Sequence, residues 1–158
     1  MYGKKAIIYA RYSSHNQSEQ SIEGQIRVCS EYALKNNLEV TDHYIDRAIS
    51  GKTDQRPAFK QMLKDSKEGL FEAVIVYKTD RFARDKYDSA VYKHELRKAG
   101  IEIHYAAENI PQGAEGVILE SVLEGLAEYY SLELSQKIKR GMYESAMKCK
   151  CLKEKSER

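Results

Sequence analysis

Residues 73–77 (AVIVY) form the strongest strand pattern in this 158-residue chain. The run is short, continuous and β-branched, which is typical of a strand buried on both faces of a sheet. The residues that follow it, 78–85 (KTDRFARD), are polar and charged. They should therefore lie at the carboxyl end of the strand, and in open parallel sheets that edge carries the functional crevice.

Strands and helices are predicted to alternate outward from this stretch. We predict strands over residues 4–11, 39–45, 73–77 and 101–106, and helices over residues 18–36, 57–68 and 85–98. Pro57 suits a first helical turn, and Gly69 and Gly100 suit positions just past a helix end. This alternation indicates βαβ units, so the sequence predicts an α/β fold with a central, mostly parallel sheet of four to five strands.

The last predicted element is a long helix over residues 114–148, a range without proline. Its apolar residues step by three or four positions, as expected for one helical face; they are Leu119, Val122, Leu126, Tyr130, Leu134, Ile138 and Met142. A helix of roughly 35 residues is about 50 Å long, and a domain of this size is only about 35–40 Å across. We expect one end to protrude and to pair with a second copy, although the stripe could instead pack on its own sheet.

The composition is that of a folded protein without a membrane span. Charged residues make up 32% of the chain, and the nine apolar and aromatic types make up 42%. No apolar run is long enough for a bilayer or a signal peptide. Three cysteines, an odd number, argue for a reducing compartment, and we expect a cytoplasmic protein. Cys149 and Cys151 form an isolated C-x-C without further ligands, so we predict no metal site.

Positive charge is concentrated near the end of the chain. The formal net charge is only +2, yet residues 137–155 contain seven lysines and arginines against two glutamates. A basic segment of this kind favours a polyanionic partner such as nucleic acid. The alternative is a solvated helix end, where lysine is also favoured.

Candidate reactive side chains follow three of the predicted strands. Tyr9, Arg11 and Ser13 share one face if the first strand continues, because side chains alternate along a strand. After the third strand, Arg81 and Arg84 lie three residues apart and share a face on a helical turn. Asp80, just before them, suits a helix N-cap. The polar loop after the second strand adds further candidates, which are Asp46, Ser50 and Arg56.

A serine hydroxyl, several arginines and an aspartate at one sheet edge fit phosphoryl transfer. Arginines can stabilise the charge that develops on the phosphate oxygens through paired hydrogen bonds. An alternative is a regulatory domain that binds a phosphate or a nucleotide. Such a domain would carry a glycine-rich loop after the first strand, but residues 9–17 (YARYSSHNQ) contain none. The remaining alternative is that these are ordinary loop and helix-start residues.

Taken together, the motifs resemble the catalytic domain of serine recombinases, the resolvase/invertase family. The resemblance covers about residues 4–141 and rests on Y-x-R-x-S at 9–13, D-R-x-x-R at 80–84, S-I-x-x-Q at 21–25 and D-x-x-x-S-G at 46–51 followed by Arg56. Residues 127–131 (AEYYS) and Gly141 with Met142 resemble the large, transposon-type branch. Small resolvases usually carry Glu-Arg pairs where this chain has Tyr130-Ser131 and Gln136-Lys137, which also favours that branch.

The resemblance implies specific residue roles. Ser13 would attack a DNA phosphodiester and form a 5′-phosphoserine link. Arg11, Arg81 and Arg84 would hold the scissile phosphate, and Arg56 would support them. Asp80 would protonate the leaving 3′-oxygen or orient an arginine. The residues expected to support the site are Tyr9, Gln25, Asp46 and Ser50.

The resemblance also implies an architecture and partners. It implies a resolvase-like three-layer α/β/α core over residues 1–112, an oligomerisation helix over residues 113–148, and a basic tail over residues 149–158 before a DNA-binding domain. Double-stranded DNA would be the partner, bound at its backbone by Lys137, Lys139 and Arg140. The protein would act as a homodimer on each site and a homotetramer in the synapse. It would need no metal, nucleotide cofactor or small-molecule substrate. A non-catalytic assembly partner is a further alternative, but such a homologue would lack Ser13 or the arginines.

Overall fold

Strands and helices alternate along the part of the chain that the computed structural model describes, which is residues 3–12, 19–47, 56–82 and 86–156. The elements are β1 (Lys4–Arg11), α1 (Glu19–Lys35), β2 (Leu38–Asp46), α2 (Pro57–Lys67), β3 (Ala73–Val76), a 3-10 turn (Thr79–Arg81), α3 (Lys86–Lys98), β4 (Glu102–Tyr105) and α4 (Ala114–Ser156). The predicted α/β alternation is confirmed.

The four strands of the described residues form one parallel sheet in the order β2-β1-β3-β4. Ile8 of β1 lies opposite His43 of β2 on one side and Ile75 of β3 on the other. The chain first moves from β1 to β2 and later continues on the other side of β1, so the strand order reverses between β1 and β3. Open α/β sheets bind ligands at the carboxyl ends of the strands at such a switch point. The fold therefore places the candidate site beyond Arg11 and Val76.

Helices cover both faces of the sheet. On one face, Cys29 and Ala33 of α1 pack with Ala6, Ile8 and Ile75. On the other face, α2 and α3 pack against the opposite side chains of the strands; this core contains Phe59, Met62, Leu96, Ile7, Tyr9, Val74, Val76 and Ile103. The predicted three-layer α/β/α core is confirmed. Burial raises the pKa of the Cys29 thiol to about 12, so Cys29 is an unreactive core residue.

Two glycines end helices through left-handed backbone. Gly69 (φ 69°) follows α2, and Gly100 (φ 79°) follows α3. At both positions the glycine amide and the next amide donate to carbonyls in the last helical turn, the Schellman arrangement; Ile101 N, for example, donates to Leu96 O at 3.0 Å. A side chain with a Cβ would be strained at this φ, which explains why these residues were good markers of helix ends.

The C-terminal helix α4 is present and runs past the predicted end at residue 148 to Ser156. Residues 149–156 contain no proline or glycine to end it, and lysine and glutamate favour helix. The chain divides into two compact units, Met1–Glu120 and Ser121–Arg158. Within the second unit the predicted apolar stripe is exposed; its members are Val122, Leu126, Tyr130, Leu134, Ile138 and Met142. None of the described helices has an apolar stretch long enough to cross a membrane.

The first turns of α4 are attached to the core by a buried carboxylate. Glu120 is only 4% exposed. It accepts a hydrogen bond from Tyr105 Oη and pairs with Lys93 Nζ at 2.9 Å and Arg97 Nη2 at 2.7 Å. Burial alone would raise the pKa of Glu120, but the Tyr105 hydroxyl and the two cations outweigh it and hold that pKa below its usual value. Glu120 is therefore ionised when the protein is folded at neutral pH.

We predict that Glu120→Gln lowers the free energy of unfolding at pH 7 by about 3–5 kcal/mol, because it removes the charge of a buried carboxylate that pairs with Lys93 and Arg97. The folded pKa of Glu120 lies below the unfolded value. Its contribution is therefore complete above about pH 4.5 and disappears as the pH falls through the folded pKa. Urea unfolding at a series of pH values measures both effects. Glu115→Gln, an exposed carboxylate in the same helix, should change little, and an equal loss in both variants would contradict the prediction.

Candidate active site

Seven of the predicted site residues lie at the carboxyl edge of the sheet and are connected by hydrogen bonds or ring contacts. They are Tyr9, Arg11, Gln25, Asp46, Arg56, Asp80 and Arg81. Ser13, Ser50 and Arg84 lie outside the described residues. The edge therefore combines cations from β1, from the start of α2 and from the turn after β3.

Arg11 is the last residue of β1 and holds the backbone of the turn after β3. Its side chain is buried, with 5% exposed. Arg11 Nε donates to Arg81 O at 3.0 Å, and Arg11 Nη2 donates to Asp80 O at 2.8 Å. Two donors of one planar guanidinium thus bind two successive carbonyls, which fixes both their distance and their orientation. Arg11 positions the segment that carries Asp80 and Arg81.

Arg56 holds the same turn from the other side. Arg56 Nη2 donates to Phe82 O at 2.6 Å. The guanidinium carbon lies 3.8 Å from the centre of the Phe59 ring and 5.8 Å from that of Tyr9, as in a cation–π contact. Its Nε is buried and has no hydrogen-bond partner among the described residues. These contacts agree with a supporting position for Arg56, behind the turn.

The turn itself differs from the helix N-terminus that the sequence predicted. Asp80 was predicted as an N-cap, but it lies inside a short 3-10 turn whose N-cap position is Lys78. Asp80 is exposed, and its Oδ1 lies 3.8 Å from Arg81 Nε. The amide of Thr79 is already satisfied by a distant carboxylate, Glu108 Oε2, at 2.8 Å. Asp80 is therefore not needed as a cap, and its carboxylate faces solvent.

Sequence reasoning missed Glu108. It belongs to none of the motifs, and it follows β4, at whose carboxyl end the sequence predicts no site residue. Thr79 Oγ1 also contacts its second oxygen, Oε1, at 3.4 Å. A carboxylate shortly after the carboxyl end of the fourth strand was the one available indication.

Asp46, at the end of β2, joins three elements. Its carboxylate accepts hydrogen bonds from Tyr9 Oη at 3.0 Å, Ala58 N at 2.9 Å and Phe59 N at 3.0 Å. The two amides belong to the first turn of α2, so Asp46 caps that helix with a negative charge where the helix dipole favours one. Burial raises the pKa of Tyr9, which keeps its hydroxyl protonated and able to donate. Asp46 thereby fixes the ends of β1 and β2 relative to α2.

Gln25 of α1 contacts the end of β1, within the Y-x-R-x-S motif at residues 9–13. Its Nε2 donates to Arg11 O at 3.0 Å and contacts Ser21 Oγ at 3.4 Å. Its Oε1 is buried and lacks a hydrogen-bond partner among the described residues. Arg11 stands two positions before Ser13 in the sequence, so Gln25 fixes the backbone that leads to that serine.

The predicted DNA-backbone residues belong to the second unit. Lys137, Lys139 and Arg140 are cations within one turn of α4 and are all exposed. Lys137 and Arg140, three residues apart, share one face of the helix, and exposed lysines and arginines are the side chains that contact DNA phosphates.

Comparison with known proteins identifies the class to which this site belongs. Residues 6–150 match the family model described as "Resolvase, N terminal domain". Because the match covers most of the chain, the chain belongs to this family. A resolvase/recombinase from Pseudomonas putida is 28% identical over 142 residues, which is 89% of this chain and 72% of that protein. The transposon Tn3 resolvase from Escherichia coli is 26% identical over 141 residues, 89% of this chain and 71% of that protein.

Solved structures agree with the family assignment. The N-terminal catalytic domain of TP901-1 integrase is 30% identical, with a TM-score of 0.63, and covers 81% of this chain and 97% of that one. A resolvase family site-specific recombinase from Streptococcus pneumoniae is 27% identical, with a TM-score of 0.65, and covers 90% of this chain and 98% of that one. The predicted function is confirmed at the level of the class: the chain is the catalytic domain of a site-specific recombinase, an enzyme that binds DNA and self-associates.

We predict that Asp46→Ala lowers the free energy of unfolding by about 2–4 kcal/mol, because it removes a helix cap and leaves a buried tyrosine hydroxyl without its acceptor. Urea unfolding monitored by circular dichroism measures the change. Asp42→Ala is the matched control, since Asp42 lies on the same strand, is exposed and accepts the neighbouring His43 amide. A loss below 1 kcal/mol for Asp46→Ala would contradict the proposed bridging role.

Proposed function

We propose that Ser13 is the nucleophile that cuts DNA. Ser13 Oγ attacks a backbone phosphorus, the bond from phosphorus to the 3′-oxygen breaks, and the protein becomes linked to a 5′-phosphate. The serine loses its proton, and the departing 3′-oxygen gains one. The observation that carries the proposal is the pair of hydrogen bonds from Arg11 to the carbonyls of Asp80 and Arg81. These bonds join the chain leading to Ser13 to the turn that bears an acid and an arginine.

The cations around this turn suit the transition state. Negative charge accumulates on the phosphate oxygens during attack, and fixed donors that await this charge lower the barrier. In this scheme Arg11, Arg81 and Arg84 contact the phosphate. Arg11 also holds the turn that carries Arg81, and Arg56 supports that turn. Tyr9, Gln25, Asp46 and Ser50 support the arrangement. The guanidinium fork can bind two phosphate oxygens at once, which a lysine cannot do.

Asp80 has two possible roles in the proposal. Its exposed carboxyl can protonate the leaving 3′-oxygen. It can alternatively orient Arg81, whose Nε lies 3.8 Å from Asp80 Oδ1. No metal or nucleotide cofactor enters this scheme, because the phosphoserine bond retains the energy of the phosphodiester and the 3′-hydroxyl can attack it to restore the DNA.

We propose that α4 carries the contact between subunits, giving a homodimer on each DNA site and a homotetramer in the synapse. Its large apolar side chains are exposed at helical spacing, among them Leu126 (46%) and Leu134 (60%). Such a stripe gains free energy when a second helix covers it. Lys137, Lys139 and Arg140 then lie against the DNA backbone. We place the catalytic core at residues 1–112, the oligomerisation helix from residue 113, and the activity in the cytoplasm, in an enzyme of the large, transposon-type branch.

Ser13→Ala is expected to abolish the covalent link to DNA. The measurement mixes the protein with a duplex spanning the end of the mobile element that encodes it, labelled at the 3′ end of each strand. Quenching in detergent then reveals labelled DNA of retarded mobility when protein is joined to a 5′ end. Ser14→Ala, which removes the adjacent hydroxyl, should retain the adduct. An adduct of undiminished yield in Ser13→Ala would refute the assignment of the nucleophile.

Replacing the stripe of α4 with charge is expected to prevent self-association. The double variant Leu126→Glu/Leu134→Glu places two carboxylates where apolar surface must be buried, so the dissociation constant should rise by at least about 100-fold. Sedimentation velocity over a range of concentrations measures it. Leu34→Glu changes a 79% exposed leucine of α1 and should leave association unchanged. Equal association of the double variant and the wild type would exclude this face as the interface.

A further inference from the structure

Glu108 contacts the turn that carries Asp80 and Arg81, although the proposed chemistry assigns it no role. It is half-buried in the segment between β4 and α4. Glu108 Oε2 accepts the hydrogen bond of Thr79 N at 2.8 Å, and Oε1 lies 3.4 Å from Thr79 Oγ1. Thr79 is itself buried, with 4% exposed. A charged carboxylate thus binds the first amide of the turn.

The contacts of the turn have opposite charge at its two ends. At its amide end, Glu108 accepts the hydrogen bond of Thr79 N. At its carbonyl end, Arg11 and Arg56 donate to Asp80 O, Arg81 O and Phe82 O. Hydrogen bonds to charged groups are shorter and stronger than neutral ones, and this order of charges matches the direction of the peptide dipoles. The turn is therefore held at both ends by charge-assisted hydrogen bonds to its backbone.

The position of Glu108 is fixed by the sheet. Beyond β4 the chain continues beside β3, because Ala106 N donates to Val76 O at 2.8 Å and Ala107 N donates to Tyr77 O at 2.9 Å. Glu108 is the next residue, and Thr79 follows two residues after Tyr77. The two residues are thus brought together by backbone pairing and not by the freedom of a loop. A carboxylate placed in this way is already in position before any ligand binds.

We propose that Glu108 is a positioning residue for DNA cleavage, acting through the Thr79 amide on the placement of Asp80 and Arg81. The inference rests on the proposed function, in which these two side chains act at the scissile phosphate. Displacement of a catalytic group by about 1 Å can cost roughly 100-fold in rate. Loss of Glu108 therefore slows the chemical step and leaves the affinity for DNA unchanged, because Glu108 itself does not contact the phosphate.

Two substitutions at Glu108 and one control test the proposal. Glu108→Ala removes the acceptor, whereas Glu108→Gln keeps an amide oxygen that can accept from Thr79 N. Glu72→Ala is the matched control, since Glu72 Oε2 also accepts a backbone amide, that of Lys5 at 3.1 Å, but at the opposite edge of the sheet. Comparison of the three variants therefore distinguishes loss of the hydrogen bond to Thr79 N from loss of the negative charge of Glu108.

Two measurements are made on each variant. Amide hydrogen exchange at Thr79 should accelerate by about 10-fold in Glu108→Ala, since a charge-assisted hydrogen bond is lost. Single-turnover formation of the protein–DNA adduct, measured at several concentrations of the element-end duplex, should fall by about 10- to 100-fold at saturation. The concentration that gives half the maximal rate should stay the same. Glu108→Gln should recover cleavage to within about 3-fold of wild type, and Glu72→Ala should match wild type in both measurements.

The outcomes separate this proposal from the proposed function. If wild type forms the adduct and Glu108→Ala forms it at the same maximal rate, Glu108 is not a positioning residue. If the loss in Glu108→Ala lies in the half-saturating concentration, Glu108 contributes to DNA binding and the proposal is overturned as well. If wild type forms no adduct, the proposed function fails. Even then, an unchanged rate of amide hydrogen exchange at Thr79 in Glu108→Ala would independently refute the hydrogen bond between Thr79 N and Glu108.

Discussion

The segment at residues 79–82 depends on charged side chains from distant parts of the chain. A 3-10 turn of three residues can satisfy few of its own backbone groups, so its amides and carbonyls need outside partners. Arg11 comes from the end of β1, Arg56 from the start of α2, and Glu108 from the chain after β4. These residues meet because the strands are parallel and their carboxyl ends share one edge. The formation of the site therefore depends on the strand order β2-β1-β3-β4.

The sequence predicted the elements well wherever a local rule determines them. The predicted bounds of β1 are those observed, since a continuous apolar run between polar ends is unambiguous. Gly69 and Gly100 mark the ends of α2 and α3 because left-handed backbone favours glycine. The predicted end of α4 at residue 148 is earlier than the observed end at Ser156, because no residue between these positions stops a helix. Family membership was recognisable from short motifs, since three of the four motifs lie at the end of a strand, where chemistry restricts the residue type, and the fourth, at residues 21–25, lies in α1.

The interior of the site was harder to predict, because its contacts join residues far apart in sequence. The residues around Asp80 do not show whether it caps a helix or is an exposed carboxylate. The difference arises from Glu108, 28 positions later in the chain, which accepts the hydrogen bond of the Thr79 amide. In the same way, the sequence indicates that Arg56 is basic but not that its guanidinium lies against Phe59 and donates to Phe82 O. Side-chain-to-backbone contacts across a sheet edge leave no periodic pattern, so they require coordinates.

The supports of this turn bind main-chain atoms almost exclusively. Asp80 O, Arg81 O, Phe82 O and Thr79 N are present whatever side chains these positions carry. Arg11, Arg56 and Glu108 form the frame that shapes the turn. This frame and the side chains that the turn presents can consequently vary independently during evolution. New side chains at positions 80 and 81 could be selected or designed without rebuilding the frame, which makes this short segment a natural place for a lineage of such enzymes to change its chemistry while keeping its architecture.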